Sequence, residues 1–146
     1  MRTNAADALF DLYHSCGHVH AALTRRADNI LPFDLTMAQF NILDDLKRAD
    51  EPVVVQSFAV AHNITKGAVT NLLHQLEAKQ FIKLEKNPAD GRSKLVTLTL
   101  EGAKAHRHSM VALSELTSEL LQDFSEEDLS SSLPLMKRFV AWLDAK

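Results

Sequence analysis

The stretch NITKGAVTNLLHQLEAKQ, residues 63–80, places the strongest constraint on the fold of this chain. Its apolar residues recur at the helical spacing i, i+3, i+4 and i+7, at Val69, Leu72, Leu73 and Leu76. This spacing predicts a helix with one buried face, and Thr65 is well placed to be its N-cap. A brief helix through Phe58 and Ala61, followed by a tight turn, would complete a helix-turn-helix.

The outward face and first turn of this helix carry small or polar side chains instead of the long charged ones of an ordinary solvated helix. In a helix-turn-helix the second helix lies in the major groove of DNA, with its amino-terminal residues at the base edges. Thr70 and Asn71 have donors and acceptors suited to bases, whereas Lys66 and His74 suit phosphates. The candidate DNA-contacting residues of this helix are Thr65, Lys66, Gly67, Ala68, Thr70, Asn71 and His74.

Two alternating segments follow the helix directly, FIKLEK at 81–86 and SKLVTLT at 93–99. Apolar residues alternate with polar ones in both, and this period of two predicts a β-hairpin. The alternating apolar residues are Ile82, Leu84, Val96 and Leu98. A hairpin that directly follows a recognition helix is a wing.

The tip of the predicted wing, NPADGR, is polar and contains one glycine. Arg92 can enter a minor groove of DNA, where a narrow A·T-rich geometry concentrates negative potential. Asp90 is expected to hold the shape of the loop, and Gly91 to provide any positive φ that the turn needs. Lys94 is a further candidate DNA contact. The alternative is a surface ion pair between Asp90 and Arg92 with no role in binding.

The charge of the chain is unevenly distributed. The 146 residues carry a net charge of −3, but residues 64–107 hold eight basic and four acidic side chains. A basic central segment suits a surface that faces phosphates. On charge alone, an ordinary solvated face fits equally well.

The composition predicts one mainly helical domain. A chain of 146 residues, 46% of them hydrophobic, suits a single domain, and only four Gly and four Pro favour helices. No stretch is apolar and long enough to cross a membrane, and the amino terminus lacks the apolar core of a secretory signal. The single Cys16 cannot form an internal disulfide, so we expect a cytoplasmic protein. No nucleotide-binding or hydrolytic motif occurs, and an enzyme is not expected.

Amphipathic segments flank the central region. Apolar residues recur at steps of three and four across residues 6–28, and Thr36 with Gln39 matches a capping box for a helix that ends near Lys47. The VVV segment at 53–55 predicts a short strand. Two further apolar stripes, separated by a capping pattern at Ser125 and Asp128, comprise Leu113, Leu116, Leu120 and Phe124, then Leu129, Leu133, Met136, Phe139, Val140 and Leu143.

The order of these elements and two of their motifs resemble the MarR family of bacterial winged-helix regulators. NITKGAVTNLLHQLEAK is similar to the recognition helix of that family, and PADGRSKLVTLTLEG is similar to its wing. The resemblance implies a single domain over residues 1–146, with a winged helix-turn-helix at 36–100 and dimerisation helices at 6–30 and 101–146. It also implies a homodimeric repressor that binds a pseudo-palindromic operator in double-stranded DNA and is released by a small effector. No cofactor is expected.

Three positions depart from the family pattern. Gln80 stands where the recognition helix commonly ends in Gly, so its last turn is expected to close without a left-handed residue. Leu84 replaces an Arg that is common in the family, which removes one possible phosphate contact. Pro134 lies inside the last helical pattern and is expected to kink or split that helix, with Ser132 as a second cap.

Two groups of residues leave open a regulator that responds to redox or metal. Cys16 lies on the apolar stripe of the first helix, where a buried, inert thiol is expected rather than a redox sensor. His14 and His18 lie one turn apart on that helix. They could share a metal with His106 or His108, but those two do not share a helix face, so hydrogen-bonded or solvated histidines are favoured. A winged-helix adaptor that binds protein instead of DNA is a further alternative.

Overall fold

The computed structural model describes residues 4–145, which form six helices and a three-stranded sheet. In chain order these are α1 (Ala5–Ile30), α2 (Met37–Arg48), β1 (Val53–Val54), α3 (Val55–Ala61), α4 (Lys66–Ala78), β2 (Ile82–Lys86), β3 (Lys94–Leu98), α5 (Leu100–Leu120) and α6 (Glu126–Asp144). The predicted mainly helical fold with a small β-hairpin is confirmed. No helix in this part of the chain is long and apolar enough to cross a membrane.

The described residues divide into two compact units, residues 4–112 and residues 113–145. The first unit contains the helix-turn-helix and the sheet, and the second contains the end of α5 and all of α6. Residues 1–3 and 146, which the predicted domain bounds include, lie outside the described residues.

The sheet joins the predicted hairpin to a strand from earlier in the chain. β2 and β3 form the predicted antiparallel hairpin, with Leu84 opposite Val96 at the centre. β1 pairs with the other edge of β3, so the strand order is β1-β3-β2. Val55, which was predicted to end the first strand, instead begins α3. The wing is therefore tied directly to the first helix of the helix-turn-helix.

The core of the first unit lies among α2, α3, α4 and the sheet. Its fully buried side chains include Ile42, Leu43, Phe58, Val69, Leu73, Leu76, Ile82 and Val96. Three of the four predicted stripe residues of α4 are among them, and Leu72 is half-buried. Burial of each such side chain stabilises the fold by about 1.5–3 kcal/mol. The predicted inward face of α4 is thus confirmed.

Hydrogen-bonded caps begin α2 and α6 as predicted. Thr36 Oγ1 accepts the N–H of Gln39 at 3.2 Å, and Gln39 Oε1 accepts the N–H of Thr36 at 3.1 Å. Ser125 and Asp128 form the same reciprocal box, and hydrogen bonds from Ser125 lower the pKa of the Asp128 carboxyl. The buried Gln39 also donates from Nε2 to Gln75 Oε1 at 2.6 Å, which joins α2 to α4.

Two adjacent carboxylates on α2 hold neighbouring elements through histidines. Asp45 Oδ2 lies 2.6 Å from Nε2 of His62, in the turn between α3 and α4. Asp44 Oδ1 lies 2.9 Å from Nε2 of His106 on α5. Partial burial raises the pKa of Asp44, but hydrogen bonds from His106 and Arg48 outweigh it and hold that pKa below its usual value. α2 therefore fixes both the turn of the helix-turn-helix and the first half of α5.

The carboxyl-terminal helices differ from the expectation at two points. α5 ends at Leu120, so Phe124, predicted on its stripe, lies in the turn before α6. α6 runs unbroken from Glu126 to Asp144 through Pro134. Pro134 removes one helical hydrogen bond, but water can satisfy the carbonyl left unpaired in this exposed helix. The predicted split after Ser132 is wrong, since the helix is continuous there, and the Ser132 hydroxyl donates to Leu129 O of the same helix instead of capping a new one.

A glycine and a threonine let α5 begin directly against the sheet. A Cβ at Gly102 would lie 2.0 Å from the carbonyl oxygen of Phe81, so only glycine fits this approach. Thr99 Oγ1 accepts the N–H of Gly102 at 2.9 Å and donates to the carbonyl of Gln80 at 2.7 Å. The segment LTLEG, residues 98–102, thus joins the end of the wing to the end of α4.

α4 ends through a left-handed residue, contrary to the expectation for Gln80, whose φ is 62°. The N–H of Gln80 donates to Glu77 O at 2.8 Å, and the N–H of Phe81 donates to Leu76 O at 3.0 Å. These two bonds are those of a Schellman motif. The expectation is wrong because burial of Phe81 fixes where the chain turns after α4. The position adopts the backbone that glycine favours although a glutamine occupies it.

Replacing Gln80 with Gly is expected to stabilise the protein by about 0.5–1 kcal/mol. A left-handed L-residue costs roughly 1–2 kcal/mol, and the greater flexibility of Gly in the unfolded chain offsets part of the gain. Urea unfolding would show a higher midpoint with an unchanged slope. The control is Gln80→Ala, which removes the side chain but keeps the strain and should leave the midpoint where it is. A lower or unchanged midpoint for Gln80→Gly would contradict strain at this position.

Candidate nucleic-acid interface

The amino end of α4 is capped as predicted and is exposed. Thr65 has an extended backbone, with φ −70° and ψ 153°, and its Oγ1 accepts the N–H of Ala68 at 3.2 Å. The N–H groups of Lys66 and Gly67, also in the first turn, have no acceptor within their own helix. Because this end of a helix carries partial positive charge, it suits a DNA phosphate.

The outward face of α4 presents the polar residues predicted from the sequence. Thr70, Asn71 and His74 are exposed, whereas the apolar stripe of the same helix is buried. The Thr70 hydroxyl donates to Lys66 O at 2.9 Å, so its proton is used within the helix. Towards a ligand, this oxygen can therefore act as an acceptor, with the threonine methyl group beside it.

Hydrogen bonds among its own residues hold the wing tip in shape. Asn87 Nδ2 donates to the hydroxyl of the buried Ser93 at 2.8 Å, and that hydroxyl donates to Asp90 O at 3.1 Å. Asp90 Oδ1 accepts the backbone N–H of Arg92 at 3.0 Å. Asp90 thus shapes the loop as expected, through the backbone of Arg92, while the Arg92 side chain is exposed.

Gly91 does not use the positive φ that was expected of it. No glycine in the described part of the chain has a positive φ. A Cβ at Gly91 would lie 3.4 Å from Cε of Lys86, at the edge of ordinary contact. The turn needs no left-handed residue, because the side-chain oxygens of Asn87 and Asp90 accept hydrogen bonds from backbone N–H groups and so build its shape.

α4 and the wing border a groove of about 230 Å³. α4 contributes Thr70 and His74, and the wing contributes Arg92 and Lys94. Apolar side chains that include Leu84 also line it. The structure therefore brings four predicted DNA-contacting residues around one opening. The remaining candidates, in the first turn of α4, at Asn71 and at Asp90, do not line this groove.

Gln56 also lines the groove, although it was not among the residues predicted from the sequence. It is the second residue of α3 and is exposed, and its amide offers both donors and an acceptor. The signal was present, because the first helix of a helix-turn-helix crosses the DNA backbone and a polar residue at its start can reach a phosphate. The spacing of apolar residues does not reveal a polar residue such as Gln56.

The predicted sensor residues do not lie together in one site. Cys16 is exposed, contrary to the buried thiol expected, because the apolar stripe of α1 is left uncovered. His106 stacks on Phe40 at 5.4 Å in addition to its bond to α2, and His108 stacks on Phe33 at 5.7 Å. Within residues 4–145, no cluster of three or more His, Cys, Asp or Glu side chains could hold a metal ion.

Comparison with known proteins identifies relatives along most of the chain. Residues 35–94 match the model of the MarR family. The multiple antibiotic resistance protein MarR of Escherichia coli strain K12 is 28% identical over 137 residues, which cover 89% of this chain and 94% of that protein.

Solved structures share the fold. The transcriptional regulator BldR from Sulfolobus solfataricus has a TM-score of 0.84 at 21% identity, over 94% of this chain and 98% of that one. A mutant of MarR from E. coli, complexed with operator DNA, has a TM-score of 0.81 at 24% identity, over 94% of this chain and 99% of that one. The family match shows that the winged part of the chain, residues 35–94, is a winged helix-turn-helix of the MarR family of transcriptional regulators, and the solved structures share the fold along most of the chain.

Proposed function

We propose that this protein is a homodimeric repressor that binds a pseudo-palindromic operator and releases it when a small effector binds. It contacts DNA through the residues of α4 and the wing that the sequence predicted, and it acts in the cytoplasm. The groove between α4 and the wing carries this proposal. Arg92 and Lys94 supply positive charge on the wing side. Thr70 and His74 supply hydrogen-bonding groups on the helix side, and a DNA reader needs both kinds of group.

The two parts of this surface suit different grooves of DNA. An α-helix fits the major groove, which is about 12 Å wide, and α4 has its polar residues at the end and face that would enter it. The wing tip carries an exposed arginine, which suits the negative potential of a narrow minor groove. The complex of E. coli MarR with operator DNA supports DNA as the partner.

Exposed apolar side chains on α1 and α6 support a homodimer. They include Leu9, Phe10, Tyr13, Val19 and Leu23 on α1, and Leu129, Leu133, Leu135, Val140 and Leu143 on α6. Monomeric proteins rarely expose contiguous apolar patches above a few hundred Å². A second copy related by two-fold symmetry would cover such surfaces and place two recognition helices about one helical turn of DNA apart.

Selection of duplex DNA from a random pool tests the proposal. The ligand-free protein is expected to enrich an inverted repeat with half-site centres about 10 base pairs apart. Fluorescence anisotropy should then show affinity falling steeply with salt, since each phosphate contact contributes about 0.9 to the slope of log K against log salt. Binding without an enriched sequence would contradict an operator, and no DNA binding at all would favour an adaptor that binds protein.

Arg92→Ala is expected to weaken operator binding about tenfold and to lower the salt slope by about two, because the dimer loses one contact in each half-site. The loss follows because the exposed guanidinium at the wing tip no longer approaches the DNA. Arg107→Ala is the control, since it removes the same exposed side chain from α5, which does not line the groove. If Arg92→Ala left both affinity and slope unchanged, the wing would have no part in binding.

Thr70→Val is expected to abolish the preference for one base pair in each half-site, at a cost of about 1 kcal/mol there. Since Thr70 Oγ1 gives its proton to Lys66 O, it can accept from the amino group that adenine or cytosine presents in the major groove. Binding to operators with each base pair replaced in turn measures this preference. Thr70→Ser keeps the hydroxyl and should keep the preference. An equal loss on every sequence, including nonspecific DNA, argues against base reading.

A further inference from the structure

The loop between α1 and α2 holds two successive residues in the left-handed region. Phe33 has a φ of 62° and Asp34 a φ of 51°, and neither is a glycine. Side chains with a Cβ are sterically disfavoured there, and such a conformation persists only when surrounding contacts determine it. The contacts that hold this loop are therefore informative.

Lys79, at the carboxyl end of α4, supplies a polar contact to this loop from a distant part of the sequence. Its Nζ donates to Phe33 O at 2.7 Å and to Asp34 O at 3.2 Å, across 46 and 45 positions of sequence. Bonds from a charged donor are stronger than neutral ones. The Phe33 ring packs edge-on against Phe81, which follows α4, at 5.8 Å. One ammonium thus turns two adjacent carbonyls towards the end of the recognition helix.

The Lys79 contact connects α4 to the loop that follows α1, and these two helices have different proposed roles. α1 ends at Ile30 and carries the exposed apolar face that we assign to the dimer, and α4 carries the residues that we assign to base reading. We infer that Lys79 is a positioning residue: it holds α4 at a set angle to α1 and so fixes the separation of the half-sites that the dimer accepts. This inference rests on the proposed function.

The geometry of α4 gives the expected size of the effect. Gln75 is bonded to Gln39 of α2, and we take this bond as the pivot about which α4 would tilt without Lys79. Lys66 lies nine residues before Gln75, about 14 Å along the axis at 1.5 Å per residue. A rotation of about 15° at Gln75 moves that end by about 3.5 Å, which is one base-pair step. Loss of the Lys79 contact should therefore be visible as a loss of spacing preference.

The experiment compares the selected operator with versions in which one base pair is inserted or deleted between the half-sites. Wild type is expected to bind the original spacing at least about tenfold more tightly than either altered one, since a base pair both shifts and rotates one half-site. Lys79→Met removes the ammonium but keeps the aliphatic stem. It is expected to bind all three spacings within about threefold of one another, with the original weakened most.

Three further variants separate positioning from stability. Lys79→Arg can still donate to both carbonyls and should keep the wild-type profile. Lys47→Met makes the same chemical change at an exposed position of α2 and should also keep it. In the Lys79→Met background, Asp34→Gly places a glycine at one of the two left-handed backbone positions. It should raise the urea midpoint without restoring the spacing preference.

The outcomes distinguish a failure of this inference from a failure of the proposed function on which it rests. If wild type prefers one spacing and Lys79→Met keeps that preference, or loses affinity equally at all three spacings, Lys79 is not a positioning residue, although the operator proposal stands. Restoration of the preference by Asp34→Gly would likewise assign the effect to stability alone. If wild type itself shows no spacing preference on the selected DNA, the dimeric operator proposal fails, and the role of Lys79 fails with it.

Discussion

Burial of three side chains of α4 is the constraint on which the rest of the interface depends. Val69, Leu73 and Leu76 are each at most 1% exposed, and with 3.6 residues per turn their burial fixes the rotation of α4 about its axis. Thr70 and His74 are then directed outward. Exposing even one of the three side chains would cost about 1.5–3 kcal/mol, several times the thermal energy, so the polar face cannot turn inward.

Most of the fold could be predicted because its signals are local. The α4 stripe, the Thr36 cap and the β-hairpin each depend on residues a few positions apart, which a sequence shows directly. The left-handed Gln80 and the unbroken helix through Pro134 depend instead on their surroundings. Phe81 determines the chain direction in the first case, and access to water makes the second tolerable. The intrinsic conformational preference of a residue predicts its backbone poorly where tertiary contacts determine that backbone.

The candidate site could be predicted in its residue types but not in its geometry. The sequence indicated a polar helix face and a charged wing tip, yet it did not show that Arg92 and Thr70 border one groove or that Gln56 joins them. It also did not show that Lys79 reaches a loop 46 positions earlier. The exposure of Cys16 has a similar origin, since periodicity marks an apolar stripe without saying whether the same chain or another covers it.

A strained loop beside a recognition helix has a physical rationale in the energetics of specificity. Thr70 and Asn71 are the residues of α4 best suited to bases, and one good base contact discriminates by about 1–3 kcal/mol. Specific sites are typically favoured over nonspecific DNA by about 4–10 kcal/mol. The base contacts of two residues in one half-site barely supply this free energy. Two half-sites double the total discrimination free energy only if both recognition helices contact their bases at the same time. A contact that costs backbone strain but keeps α4 at one angle, as Lys79 does at Phe33, then contributes to specificity without touching a base.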